Sequence, residues 1–174
     1  MGYVHDTAMC RFVPPNLIGN SAGTWTLSVA SNIWSNDRTA AAASFVSYIP
    51  ILLNSNTAAL KGSKLVSVEF MYEITTAACT AFTLKLYKDT FSVTAASGSG
   101  TINTVAEVTA VTYDAGHDTA AELYAVDQHR AVLTLTTPVF IDNDEGYHVE
   151  AAVTAAATSV FKIYGALINY TLRV

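Results

Sequence analysis

Lys64-Leu65-Val66-Ser67-Val68-Glu69-Phe70-Met71-Tyr72-Glu73-Ile74 is the stretch that decides the fold. Within it Val66, Val68, Phe70, Tyr72 and Ile74 alternate with Ser67, Glu69, Met71 and Glu73, a period of two. Successive side chains of an extended strand point to opposite faces, so this spelling makes a strand with one buried face and one largely wet face. Similar short runs recur along the chain, and no long helical pattern competes with them.

Working outward, Trp25, Leu27 and Val29 alternate with Thr26 and Ser28 and read as a first core strand, followed by a polar turn region over 32–37. Residues 40–43 are an alanine run, far short of the ~12 residues an isolated helix needs, and lead into a strand over 45–52. Pro50 cannot donate to a sheet ladder, which places that strand at an edge or gives it a bulge. Residues 55–62 form a connection with one helical turn. Phe82, Leu84 and Leu86 alternate with Thr83, Lys85 and Tyr87, and residues 75–80 join this run to the preceding strand as a hairpin or as a crossing between two sheets. The Ala/Ser/Gly patch over 94–101 has a loop composition. Further strands are expected over 105–113, 121–126, 131–140, 147–153 and 159–172. About eight to ten strands at a spacing of roughly 8 to 12 residues predict an all-β antiparallel sandwich, with a jelly roll the leading topology.

The last strand carries its own signal. Phe161 and Ile163 share one phase, whereas Ile168, Tyr170 and Leu172 share the other, with Gly165-Ala166 between. Either a bulge at Gly165 shifts the register and keeps both sets on the core side, or both faces of the strand are covered, one of them by a partner subunit. Residues 1–23 mix Phe12, Val13, Leu17 and Ile18 with Pro14-Pro15 and Gly19-Asn20-Ser21, and read as an extended N-terminal arm lying across the domain body or a neighbouring copy; residues 24–174 form the single sandwich domain.

Composition sets the class of partner. The 174 residues are 51% hydrophobic and only 13% charged, against about 25% charged in an average soluble domain. Weakly ionic surfaces of this kind tend to end against other protein. A net charge of -5, with nine dispersed Lys and Arg, argues against nucleic acid, which needs a basic stripe. Met1-Gly2-Tyr3-Val4-His5-Asp6 lacks a charged region followed by an apolar run, so synthesis in the cytoplasm without a signal peptide is expected, and Asp6 stands where a myristoylation signal has Ser or Thr. Apolar runs such as 48–53 are too short to span ~30 Å of hydrocarbon, so no membrane partner is expected. Cys10 and Cys79 read as small apolar residues, with a single bridge between them the alternative.

Candidate sites are sparse. Asp142, Asp144 and Glu145 before Gly146 contain carboxylates of the kind calcium takes, but the spacing is that of an acidic β-turn. Asp114, His117 and Asp118, with Glu122 or His129, could bind a metal or move protons, yet neither a second metal motif nor a nucleophile accompanies them, and a solvated loop is the simpler reading. Trp34, in a polar region, is a candidate ligand contact together with Asp114, His117 and Asp118, and Tyr87, Tyr113 and Tyr124 sit near strand ends where a sugar ring could stack.

Residues 141–150, Ile-Asp-Asn-Asp-Glu-Gly-Tyr-His-Val-Glu, followed by 161–170, Phe-Lys-Ile-Tyr-Gly-Ala-Leu-Ile-Asn-Tyr, resemble the ending of jelly-roll virion proteins of tailed phages, which decorate heads or cap fibres. The resemblance covers roughly the last third of the chain. It implies a trimeric jelly roll on a virion or similar particle surface, working through contact with other virion subunits or a host surface, with no family catalytic residues to carry over. The expectation is therefore a non-enzymatic structural subunit of a symmetric assembly with no cofactor, contacting its neighbours through Phe12, Val13, Leu17, Ile18, Tyr164, Ile168 and Tyr170. The alternative is a carbohydrate-binding or lectin-like domain for a surface glycan.

Overall fold

The computed structural model describes residues 6–55, 62–91 and 102–173. Among the described residues there are twelve strands: β1 (Asp6–Val13), β2 (Gly19–Asn20), β3 (Trp25–Ala30), β4 (Ile33–Arg38), β5 (Ala43–Pro50), β6 (Ser63–Thr75), β7 (Ala81–Phe91), β8 (Asn103–Glu107), β9 (Val111–Tyr113), β10 (Asp127–Phe140), β11 (Glu145–Ala155) and β12 (Val160–Arg173). One short helix, α1 (Ala120–Tyr124), precedes β10. The strands form two antiparallel sheets. The first runs β3-β4-β12-β6-β10-β9 with β1 also on β12, and the second runs β2-β5-β11-β7-β8.

Without the flanking β1, β2, β3 and β9, the two sheets are β4-β12-β6-β10 and β5-β11-β7-β8. The first and last of these eight strands are neighbours, and most consecutive strands alternate between sheets. That is the jelly-roll path. Residues 75–80 are accordingly a crossing between sheets and not a hairpin.

β6 is the strand read first, and its core set is Leu65, Val68, Phe70, Tyr72 and Ile74. Val66 departs from the sequence reading. Ser67 pairs with Asn169 but Leu65 with Tyr170, so Val66 is an extra residue in the ladder and Leu65 turns inward in its place. The core is centred on aromatic rings from both sheets. Tyr72 stacks on Phe161 at 5.2 Å and on Phe70 at 5.0 Å, Phe82 leans on Tyr72 at 5.0 Å, and Phe45 meets Phe161 edge-on at 5.4 Å. Such pairs contribute about 0.5–1.5 kcal/mol each beyond the area they bury.

The phase change in β12 is a bulge. Ile163 pairs with Tyr72 and Gly165 with Met71, which leaves Tyr164 as the extra residue. Phe161, Ile163, Ala166 and Ile168 all face the core as a result. Gly165 has φ +130°, and a Cβ there would lie 2.6 Å from Val13 O and 2.7 Å from the Phe12 ring. The bulge also marks a change of partner: β4 pairs with β12 at Phe161–Ile163, and β1 takes over the same edge from Ala166 onward.

Four expectations are revised. Residues 6–20, read as part of an arm, are built into the sandwich through β1 on the first sheet and β2 on the second. Residues 32–37 are mostly strand, because Ser31 and Asn32 adopt φ of 50° and 65° and close a two-residue hairpin between Ala30 and Ile33. The expected strand over 121–126 is α1, started by a capping box in which Thr119 Oγ1 accepts from Glu122 N and the Glu122 carboxylate accepts from Thr119 N. The expected strand over 105–113 is two strands on different sheets. Pro50 is the last residue of β5, past the two residues that β2 covers. The connection at 55–62 and the loop at 94–101 fall mainly outside the described residues.

Replacing Gly165 with Ala is expected to destabilise the fold by about 2–4 kcal/mol, since it combines a strained φ with contact against backbone. Urea denaturation of the two proteins measures this, and equal midpoints would contradict the bulge.

Candidate functional site

Three surface features carry polar or apolar groups in unusual concentration. The first is the β3–β4 hairpin. Trp25 packs edge-on against Phe45 at 5.3 Å and ties the base of the hairpin to the core. Beyond it Leu27, Val29 and Trp34 share a face, as their cross-strand pairing requires, and they are 51%, 72% and 39% exposed. Ile33, on the opposite face, is 55% exposed. β3 is the outermost strand of its sheet, and Trp25–Ala30 contains no charged residue and no proline to blunt that edge. The alternation of Trp25, Leu27 and Val29 is therefore real, but only Trp25 reaches the core.

The second feature is the turn before α1, where the sequence reading put Asp114, His117 and Asp118. Asp114 Oδ2 lies 2.7 Å from His117 Nδ1, and its Oδ1 accepts from Val132 N at 2.7 Å. His117 Nε2 is 3.2 Å from His129 Nδ1. His129 Nε2 donates to Ala125 O at 3.0 Å, and its ring stacks on Tyr72 at 4.7 Å. Tyr72 in turn donates to Leu123 O at 2.7 Å. Asp118 is not part of this network and sits with Glu122, whose hydrogen bond and charge hold its carboxyl above the ordinary value. Burial pushes the Asp114 carboxyl up, but the bonds from His117 and the Val132 amide outweigh it and leave it below the ordinary value. Burial pushes the His129 imidazole down. A shallow cleft between α1 and β7, walled by Phe82, Leu84, Lys85, Tyr113 and Leu123, opens beside His117. Among the described residues no group of three or more His, Cys, Asp or Glu is placed to hold a metal ion.

The third feature lies on the outer face of the second sheet. His148 stacks on Tyr87 at 5.5 Å and lies 6.1 Å from Tyr48, and its Nδ1 is 2.7 Å from Asp89 Oδ2. Asp89 also accepts from Asn103 at 3.0 Å. Cross-strand neighbours on β5, β11, β7 and β8 thus form an aromatic row with a polar border. His148 and Tyr48 did not stand out in the sequence, because the row depends on register between strands distant along the chain.

The expected contact residues divide. Val13, Ile18 and Ile168 are buried in the chain's own core and cannot serve as contacts. Tyr164 is hydrogen-bonded to Glu73, which also pairs with Lys162 at 3.2 Å, and Tyr170 is half-buried opposite Met9. Phe12 and Leu17 are each 49% exposed. Through the bulge β12 places Phe161, Ile163 and Ile168 inside and leaves Tyr170 and Leu172 partly buried. Its outer side belongs to a polar network in which Glu69 accepts from Arg130 Nε at 2.6 Å and from Asn169 at 2.7 Å. Trp34 is on the hairpin, while Asp114, His117 and Asp118 lie on the turn leading into α1, so they do not make one ligand site. Cys10 is exposed and Cys79 buried, both free, so Cys10 is not the buried apolar residue expected. Residues 142–145 form an acidic turn, in which Glu145 N donates to Asp142 O at 3.2 Å and the Glu145 carboxylate pairs with Lys88.

No known family model matches the chain. No curated protein is similar to it in sequence. Among the described residues no helix is long and apolar enough to cross a membrane.

Two outcomes follow from the His129 cluster. Since the folded-state values of Asp114 and His129 are both lowered, the unfolded chain takes up their protons first, so their contribution to stability is lost on acidification, beginning near the ordinary histidine value of ~6.5. Unfolding free energies across this range measure the effect, and His129→Gln is expected to flatten its upper part. Tyr72→Phe removes the buried bond to Leu123 O and is expected to cost about 1 kcal/mol by the same denaturation assay.

Proposed function

We propose that this chain is a non-enzymatic structural subunit of a symmetric assembly, of the kind that decorates a virion or caps a fibre, and that it works through contacts between subunits. The observation that carries the reading is the β3–β4 hairpin: an uncharged outermost strand, β3, bears Leu27 and Val29 on one face, Ile33 at the start of β4 lies on the other, and all three are half or more exposed. Full burial of an aliphatic side chain of this size contributes ~1.5–3 kcal/mol, and an open strand edge offers backbone donors and acceptors to a neighbouring strand. Phe12 and Leu17, each about half exposed, add apolar surface. A trimer is the expected state.

Size-exclusion chromatography with light scattering tests this. The wild-type protein is expected to run as an oligomer, and the Leu27→Lys, Val29→Lys double variant as a folded monomer whose thermal midpoint matches that of dilute wild type. A wild-type monomer at high concentration would contradict the proposal.

A second reading, glycan binding, is favoured by the Tyr48-His148-Tyr87 row with Asp89, Asn103 and Glu150 around it, since aromatic faces and paired carboxylates suit sugar hydroxyls. Saturable binding on a glycan array, lost on Tyr48→Ala and retained on Trp34→Ala, would support this reading in place of the first.

A further inference from the structure

The hydrogen bonds around His117 and His129 contain a conflict that locates a proton. His129 Nε2 faces Ala125 O, and a carbonyl oxygen only accepts, so Nε2 carries a hydrogen. His117 Nδ1 faces Asp114 Oδ2, an ionised carboxylate that already accepts from Val132 N through its other oxygen, so Nδ1 carries a hydrogen too. Two neutral imidazoles would then confront each other with bare lone pairs on His117 Nε2 and His129 Nδ1, 3.2 Å apart. The ring centroids are 5.4 Å apart, longer than the nitrogen separation by nearly two ring radii. The two nitrogens therefore point at one another instead of converging on a common third atom, as metal ligands would. Facing lone pairs repel, whereas one proton between them makes a charge-assisted N–H···N bond.

We propose that His117 and His129 hold one shared proton between Nε2 and Nδ1, and that this proton latches the 114–125 segment onto β10. The surroundings suit a single positive charge. Asp114 touches the pair directly, Asp118 and Glu122 lie on the same turn and helix, and Asp127 is on β10 near His129. Tyr72 of β6 stacks on His129 and spends its hydroxyl on Leu123 O. From β7 and β9, Lys85 and Tyr113 line the neighbouring cleft, but Lys85 is paired with Glu107 and Tyr113 donates to Leu84 O. Arg130, next to His129 in β10, is paired with Glu69. A second proton is opposed by the first and by burial of His129.

The pair titrates as a unit, with an unprotonated state on the alkaline side and a doubly protonated one on the acid side. α1 is five residues long and cannot hold its shape alone. Its anchors are the bonds at Leu123, at Ala125 and from Cys79 N to Tyr124 O at 3.1 Å, together with the apolar seat of Leu123. Loss of the shared proton sets the lone pairs against each other, releases His117, and opens the cleft between α1 and β7.

Imidazole nitrogen NMR of the wild-type protein tests the latch directly. Near neutral pH three of the four ring nitrogens of His117 and His129 are expected to be protonated, and the two rings to titrate together in two steps. Amide exchange over Ala120–Tyr124, corrected for its intrinsic pH dependence, is expected to rise at least tenfold as the proton is lost, and the His117→Gln variant to show no such step. Two rings that titrate independently, each with one bare nitrogen at neutral pH, would overturn the proposal. So would α1 exchange that is the same in wild type and His117→Gln at every pH.

Discussion

The fold depends on one constraint in β12: Phe161 and Ile163 are out of phase with Ile168, and all three must reach the same core. The bulge at Tyr164-Gly165 satisfies it by adding one residue to the ladder with β6. Only glycine fits there, because φ is +130° and the backbone of Val13 lies where a Cβ would project. Everything around the bulge follows. Phe161 and Ile163 close the aromatic cluster under β4 and β5, Ala166 and Ile168 continue the core under β1, and the outer edge of β12 passes from β4 to β1 at that point. β12 and β6 together form the spine to which the rest of the first sheet is attached.

That arrangement decides where unsatisfied surface remains. The outer face of the first sheet is polar and internally bonded through Glu69, Arg130, Asn169, Glu73, Tyr164 and Lys162. Since β1 occupies the edge that β4 gives up, the β3–β4 hairpin runs on with no further strand alongside it among the described residues, and its apolar residues end uncovered there. A jelly roll alone specifies no function. The functional proposal rests on this particular hairpin and not on the topology.

Much of the architecture was legible in the sequence because it depends on local periodicity. The alternation in β6 and β7, the spacing of turns and the phase change at Gly165 all survive translation into structure. What was not legible depends on partners distant in sequence. Val66 looks like a core residue until the register with Asn169 and Tyr170 makes it the extra one. Leu27 and Val29 have the pattern of a core strand, and only the loss of a neighbour on β12 leaves them outside. Two local signals were there to be read: Ser31-Asn32, whose side chains tolerate positive φ and so mark a two-residue hairpin, and Thr119-Ala120-Ala121-Glu122, a capping box opening a helix where strand alternation was expected. At the candidate site, Asp114 and His117 are a local pair three residues apart, but the approach of His129 and its stacking on Tyr72 come from the pairing of β10 with β6.

Two consequences of this structure are separable: a two-sheet core spanned by β6 and β12, and the open edge of β3 that is proposed to meet another subunit. Residue-resolved amide exchange measured at several protein concentrations tests both. The amides of β6 and β12 are expected to exchange only through global unfolding at every concentration, whereas those of Trp25–Ala30 that β4 does not bond are expected to exchange quickly when dilute and to become protected as concentration rises. Fast exchange in β3 that does not depend on concentration would contradict an assembly through this edge, and fast exchange in β12 would contradict the core itself.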